Sequence, residues 1–373
     1  MIKTDLVIGG VIFQNQRKGG ISRLFKEVLP RICDIDNTLN VYLFTSGPQL
    51  QSLPEHNNIE YYEIPNIKKF LRPQRLFREI TQKFEETIIR NKFGYLDGAI
   101  WHSTYFTNVQ NWQGPVVVTV HDMIYERFPE LFNRREDKTL RDLKRKSILM
   151  ADRIICDSST TKIDVEDFLG IEPDICSVAP LGCSETFHKI NVPPEMKCEI
   201  PFLLYVGNRN HYKNFISLLK AYSIWERRYD VKLFVVGDEL WTNNERRLIT
   251  ELNLQDLISL QTNLTDKQLC ILYNQAEALV FPSLYEGFGL PLLEAMNCGC
   301  PIVASDIPST REVAQDIPIY FDPKEIKQMT DALDIVMEEG RTSQRVKKGY
   351  LIARNYSWDK TAIRTLDVYK SLL

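Results

Sequence analysis

Several signals that would settle a function at once are missing from this 373-residue chain. No apolar run reaches the ~20 residues that a membrane-spanning helix needs, and the apolar stretch within residues 1–10 is too short for a secretory leader. The eight cysteines contain no Cys-x-x-Cys pair, which argues against structural zinc. Cys298-Gly-Cys300 lies in an apolar helix-to-strand turn, so reduced, mostly buried thiols in a cytosolic enzyme are expected. Lys and Arg (46) nearly balance Asp and Glu (49), and the net charge of −3 gives no general pull toward nucleic acid. The three-glycine fingerprint of dinucleotide-binding domains is absent, which counts against a nicotinamide oxidoreductase. Neither a fixed-period repeat nor a low-complexity tract occurs.

What is present is an alternation of short apolar runs with longer helical patterns, the mark of parallel sheets covered by helices on both faces. Strands are predicted at 6–13, 41–45, 99–102, 116–120, 153–156 and 175–179 in the first half. In the second half they are predicted at 202–206, 232–236, 278–281, 302–304 and 317–321. Helices fill the gaps, for example at 21–29, 214–228 and 266–275, and residues 358–373 form a closing helix. The polar, proline-bearing segment 188–197 reads as an interdomain linker. Two α/β domains follow, with ligands expected at the carboxyl ends of their strands.

The stretch from Phe281 to Glu294 is the most telling part of the chain. It runs from an apolar strand through Glu286-Gly-Phe-Gly-Leu-Pro291 into a helix that carries Glu294. Pro291 suits a first helical turn, where a missing N–H is no loss. The N–H groups of Phe288, Gly289 and Leu290 would face an anion above the helix start. Two carboxylates flanking such a site can grip two sets of sugar hydroxyls with phosphate between them, which is the layout of a nucleotide sugar.

Two other glycine- or cation-bearing turns follow strands. Lys18-Gly19-Gly20-Ile21 opens a helix after the first strand, where glycines let the backbone approach a diphosphate. Tyr205-Val-Gly-Asn-Arg209-Asn-His-Tyr-Lys213-Asn214 supplies two cations. Fixed charge there stabilises a departing nucleoside diphosphate more in the transition state than in the ground state. His121 ends the buried strand 116–120 at the ligand edge of the first sheet, where it can donate to a donor sugar or stabilise charge at the anomeric carbon. Asp122 reads as a turn or cap residue, and His102-Ser103 as support. No Asp-x-Asp pair sits where a metal–diphosphate site would need it, so no metal and no cofactor are expected.

The loop from Glu286 to Glu294 resembles the Glu-x7-Glu signature of glycosyltransferase family 4, which comprises retaining enzymes of GT-B fold. With the other motifs, the resemblance covers nearly the whole chain. It implies an α/β GT-B architecture of two Rossmann-like domains whose parallel sheets face across a cleft. Residues 1–190 would bind acceptor, 198–355 would bind the nucleotide sugar, and 356–373 would form a helix crossing back to the N-terminal domain. It also implies that Glu286 binds donor-sugar hydroxyls, that Glu294 binds the ribose, and that the backbone of Phe288, Gly289 and Leu290 holds phosphate or sugar oxygens. Gly19 and Gly20 would lie near the donor diphosphate and the acceptor, and Asn263 and Leu264 would line the base pocket. Relatives often carry Arg-Lys-Asn where this chain has Tyr212-Lys213-Asn214. Either Arg209 takes the arginine's part or the site works with one strong cation, Lys213.

The function so implied is retaining transfer of a hexose from a GDP-mannose-type or UDP-sugar donor to a glycan or lipid-linked acceptor, in cell-surface polysaccharide synthesis. The catalytic set is His121, Lys213 and Glu286. A GT-B epimerase and a non-catalytic sugar-nucleotide-binding subunit are the alternatives. Retention proceeds through a covalent carboxylate or by front-face attack, and the sequence leaves both open. Residues 66–92 combine basic and apolar side chains, so peripheral contact with an anionic membrane face competes there with an ordinary solvated helix.

Overall fold

The computed structural model describes residues 4–64, 78–93, 96, 98–107, 109–209 and 211–373, and for 78–83 the backbone alone. The chain divides into two compact units, Met1–Gly182 with Trp358–Leu373, and Cys183–Ser357. Each is built on one parallel sheet, so the α/β class expected from the alternating pattern is what forms.

Among the described residues, the first sheet has the order β3-β2-β1-β4-β5-β6-β7. Its strands are β1 Thr4–Gly9, β2 Leu39–Thr45, β3 Ile59–Glu63, β4 Ile100–Ser103, β5 Val116–Val120, β6 Arg153–Cys156 and β7 Cys176–Val178. The second has the order β10-β9-β8-β11-β12-β13. Its strands are β8 Phe202–Val206, β9 Lys232–Val236, β10 Ile258–Gln261, β11 Ala278–Phe281, β12 Ile302–Ser305 and β13 Ile319–Phe321. Central strands are largely apolar because helices cover both faces: Val117, Val118 and Val120 of β5, and Ala278, Leu279 and Val280 of β11, are fully buried. Chain order reverses direction between β1 and β4 in the first sheet and between β8 and β11 in the second. Those two points are where an open α/β sheet leaves a crevice for ligand.

The structure corrects some expected bounds. The strand expected over 6–13 stops at Gly9, and Ile12–Asn15 forms a helical turn. Gly10 N donates to Phe44 O at 2.7 Å, and a Cβ on Gly10 would lie 2.6 Å from that oxygen, so the chain leaves the sheet by crossing close over β2. The helix expected over 21–29 runs Gly20–Ile35 straight through Pro30. Burial of Val28, Leu29, Ile32 and Cys33 outweighs the hydrogen bond that proline forgoes. The helix expected over 214–228 ends at Ile224, and Glu226–Tyr229 forms a 3-10 turn. Edge strands β3 and β10 were not foreseen.

The helix Trp358–Lys370 packs in the first unit, where Tyr369 meets His102, Thr361 Oγ1 donates to Pro180 O at 2.6 Å and Lys370 pairs with Asp36 at 3.0 Å. Residues 188–197 are seated on the second unit: Ile190 N donates to Asn274 Oδ1, and Met196 O accepts from Gln275 Nε2. The division between units falls at Gly182/Cys183, earlier than the linker read from composition. All eight cysteines are free thiols, six of them buried. Among the described residues no helix is long and apolar enough to cross a membrane. Of the basic stretch 66–92, residues 66–77 lie outside the described residues.

Candidate functional site

In the second unit the candidate side chains Lys213 and Glu286 gather at the switch point between β8 and β11. The loop after β8 carries Lys213 and the loop after β11 carries Glu286. A backbone bond from Leu284 N to Tyr212 O, 2.7 Å, ties the two loops together. Lys213 Nζ then lies 2.6 Å from Glu286 Oε1, with both side chains mostly buried. Ser283 Oγ donates to the same oxygen at 2.5 Å. Both bonds fall on Oε1, so the carboxylate is fixed by one edge.

The same loop leads into the helix Leu290–Asn297, capped by Gly289 without any side-chain hydrogen bond. Gly289 adopts φ +110°, a conformation L side chains rarely take. The first N–H groups of a helix have no partner within it, so the turn Phe288-Gly289-Leu290 presents donors at the positive end of the helix dipole. Glu294 stands in this helix, 5 % exposed, and accepts from Tyr273 OH at 3.0 Å. Burial, with the Glu294 carboxylate beside it, pushes the Tyr273 phenol well above its ordinary range, so it stays a donor. Asn263 and Leu264 precede the helix Asp266–Gln275, which carries Tyr273; Asn263 is exposed with φ +57°.

Arg209 is spent elsewhere. Its Nε lies 2.7 Å from Glu245 Oε1, its Nη2 donates to Leu240 O and Glu239 O, and its guanidinium stacks on Trp241 at 4.8 Å. The side chain is 3 % exposed. Glu245 in turn closes a capping box with Thr242 at the start of the helix Asn243–Glu251. Among the described residues Lys213 is therefore the cation at the switch point, and Arg209 clamps the loop beside it.

In the first unit, β5 and β6 pair with Val120 beside Cys156, so the next residues, His121 and Asp157, lie side by side at the carboxyl edge. His121 Nδ1 is 2.8 Å from Asp157 Oδ2. Among the described residues, His121 Nε2 and Asp157 Oδ1 are buried and have no hydrogen-bond partner. Asp122 Oδ1 accepts from Ile124 N at 3.0 Å, the local turn role expected of it. His102 differs from His121 in having both nitrogens engaged, Nδ1 with Tyr369 OH at 2.6 Å and Nε2 with Thr119 Oγ1 at 2.9 Å. Burial, with His121 nearby, lowers its pKa to about 3, so it is a neutral core histidine.

Gly19 precedes the helix Gly20–Ile35 with extended backbone, φ 169°. A Cβ there would stand 2.5 Å from Gln16 Oε1, which itself accepts from Ser22 N at 3.2 Å. Between β1 and β4 a cavity of about 320 Å³ opens, with Asn15, Thr45, Glu85, Trp101 and Tyr105 in its wall. Among the described residues no group of three or more His, Cys, Asp or Glu is placed to hold a metal ion.

Sequence reasoning named Lys213, Glu286, Glu294 and His121, and missed Ser283, Tyr273 and Asp157. Asp157 was within reach: β5 and β6 were both foreseen, and pairing them in parallel puts the residues that end them together. Ser283 sits one helical turn's spacing before Glu286 in a loop already singled out. Tyr273 has no sequence signal toward Glu294.

Comparison with known proteins matches residues 19–186 to the family model Glycosyltransferase Family 4, and residues 186–350 to the model Glycosyl transferases group 1. The O-antigen chain mannosyltransferase B of Escherichia coli is 25 % identical over 371 residues, covering 95 % of this chain and 96 % of that protein. Among solved structures, sucrose-phosphate synthase from Thermosynechococcus elongatus superposes with a TM-score of 0.80 at 18 % identity, covering 99 % of each chain. Anabaena Alr3699/HepE, solved in complex with UDP-glucose, gives a TM-score of 0.72 at 15 % identity, covering 99 % of this chain and 100 % of that one. At these identities the two structures speak for the fold alone, which is GT-B.

Proposed function

The chain belongs to glycosyltransferase family 4, and on that premise we propose that this glycosyltransferase is a retaining hexosyltransferase fed by a nucleotide sugar. The observation that carries the proposal is the Lys213–Glu286 pair at the switch point of the second sheet, joined by one loop to an open helix start and to Glu294. Glu286 binds hydroxyls of the sugar, Glu294 binds the ribose, and the turn Phe288-Gly289-Leu290 holds phosphate. Asn263 and Leu264 border the base. Lys213 neutralises the nucleoside diphosphate as it departs, and Arg209 keeps its loop in place.

In the step proposed, the bond from the anomeric carbon to the phosphate oxygen breaks while the acceptor oxygen bonds to the same face. The acceptor's proton passes to the leaving phosphate. Glu286, its Oε1 already bound by Lys213 and Ser283, serves as a hydroxyl ligand and not as the nucleophile. No metal takes part. His121, Gly19 and Gly20 belong to the acceptor-binding unit, where His121 meets a substrate hydroxyl.

A GDP-mannose-type donor and a growing cell-surface glycan as acceptor are the leading pair; the Escherichia coli relative, named an O-antigen chain mannosyltransferase, supports the mannosyl group and the glycan. A UDP-sugar is the second donor to be tested. The enzyme would act in the cytoplasm, with residues 66–92 as the contact if it meets the membrane.

The test is donor hydrolysis in EDTA. Purified protein is incubated with GDP-, UDP-, ADP- and dTDP-sugars without acceptor, and nucleoside diphosphate release is followed. Slow release from one donor identifies base and sugar together. Absence of both release and nucleotide binding across the panel overturns the proposal, and release only after adding a divalent ion overturns the metal-free part.

A further inference from the structure

Two histidines end neighbouring strands of the first sheet, and their surroundings assign them different tasks. His102 is sealed: each nitrogen has a hydroxyl partner, and it is 1 % exposed. The His121 ring has one hydrogen-bond partner among the described residues, Asp157, itself 3 % exposed. Its other nitrogen is buried and unmatched, as is the second oxygen of Asp157. Buried polar atoms are rarely left so, and two adjacent ones at the carboxyl edge of a parallel sheet mark a place that a ligand completes.

The direction of the one bond decides what that ligand offers. An ionised carboxylate only accepts, so the Nδ1 that faces Asp157 must carry the ring proton. In the neutral form of the ring Nε2 then holds a lone pair and accepts. From this we infer that Asp157 is a positioning residue: it fixes the tautomer and plane of His121 so that Nε2 accepts a hydrogen bond from a sugar hydroxyl. A phosphate oxygen, which also only accepts, finds no donor there. This reverses the donating role the sequence suggested for His121. It rests on the transferase reading for the identity of the hydroxyl-bearing ligand, and on the geometry for the tautomer.

The experiment separates those two supports. Side-chain nitrogen NMR of the full-length protein near neutral pH, with His121 assigned by comparison with His121→Gln, reports which nitrogen is protonated. The expected result is a neutral ring with the proton on Nδ1. In Asp157→Asn the carboxamide can turn its NH2 toward the ring, so the proton is expected to move to Nε2 without loss of fold. Transfer should then fall by about 10- to 100-fold, as when the partner that orients a working histidine is altered. The loss should not add to that of His121→Ala in the double variant. A wild-type ring protonated on Nε2, or on both nitrogens, overturns the inference whatever the activity, and so does full additivity. If no preparation transfers sugar, the transferase reading fails while the tautomer result stands.

Discussion

Lys213 Nζ rests 2.6 Å from Glu286 Oε1 although 73 residues separate them in the chain. The contact follows from the order in which the second sheet is wound. Strands β8 and β11 become neighbours only where the chain reverses direction across the sheet, and the loops leaving them are tied by Leu284 N to Tyr212 O. A cation and a carboxylate are thus held together in a crevice that the winding leaves open. Both groups lie in the loops that leave the strands and not in the strands themselves, so the pair stands at the edge of the sheet.

Lys213→Ala and Glu286→Gln are each expected to lower sugar transfer by roughly 100-fold or more, the scale of losing one electrostatic partner of a departing group. Glu286→Gln keeps the shape and the Ser283 bond, so its far-UV circular dichroism should match the parent. Rates within a few-fold of the parent in either variant would remove the pair from the site.

Tyr273→Phe isolates the support beneath Glu294. The phenol donates to a carboxylate that is itself buried, and removing it leaves Glu294 freer to turn. If Glu294 grips the ribose in ground and transition state alike, the variant should raise KM for the donor by roughly 10-fold with kcat kept, the pattern of lost uniform binding. A fall in kcat at constant KM would place Glu294 in the chemical step instead.

The sequence was most readable where burial is uniform and least readable at edges. Val116–Val120 was read to the residue because a strand covered on both faces is apolar along nearly its whole length, Thr119 excepted. Strand β3, Ile59-Glu-Tyr-Tyr-Glu63, went unread because an edge strand leaves most of its side chains in water and shows no apolar run. Candidate site residues were picked out singly, through motif and position after a strand: Lys213, Glu286, Glu294. Their partners were not, because Tyr273 reaches Glu294, and Glu245 reaches Arg209, from separate helices. The charge on Arg209 could be seen in the sequence, whereas the fact that Glu245 already neutralises it could not.

That neutralisation gives Arg209 a signature unlike Lys213. The Arg209–Glu245 pair is almost fully buried, at 3 % and 8 % side-chain exposure, and breaking such a pair from one side costs about 3–5 kcal/mol. Arg209→Met should therefore lower the thermal midpoint by several degrees. Arg209→Met with Glu245→Leu should recover part of the loss, since no uncompensated charge remains. An Arg209 that grips phosphate would behave otherwise: donor hydrolysis would collapse in Arg209→Met while the midpoint held.

His102 should make the first unit acid-sensitive. Its folded pKa is lowered to about 3 by burial and by nearby His121, against 6.5 for the free side chain. Above pH 6.5 both states hold the ring neutral and its contribution to stability is complete. As pH falls from 6.5 toward 3, the unfolded chain takes up a proton that the folded chain refuses, so stability drops by up to about 1.4 kcal/mol per pH unit from this one group. His102→Gln keeps hydrogen-bonding capacity toward Tyr369 and Thr119 but has no such proton. Urea unfolding of parent and variant at pH 7.5, 6 and 5 isolates the effect, because every other titrating group is common to both. The parent should lose more stability than His102→Gln over that range, with the difference growing toward pH 5. Equal losses would mean that the buried ring is not what makes this unit sensitive to acid.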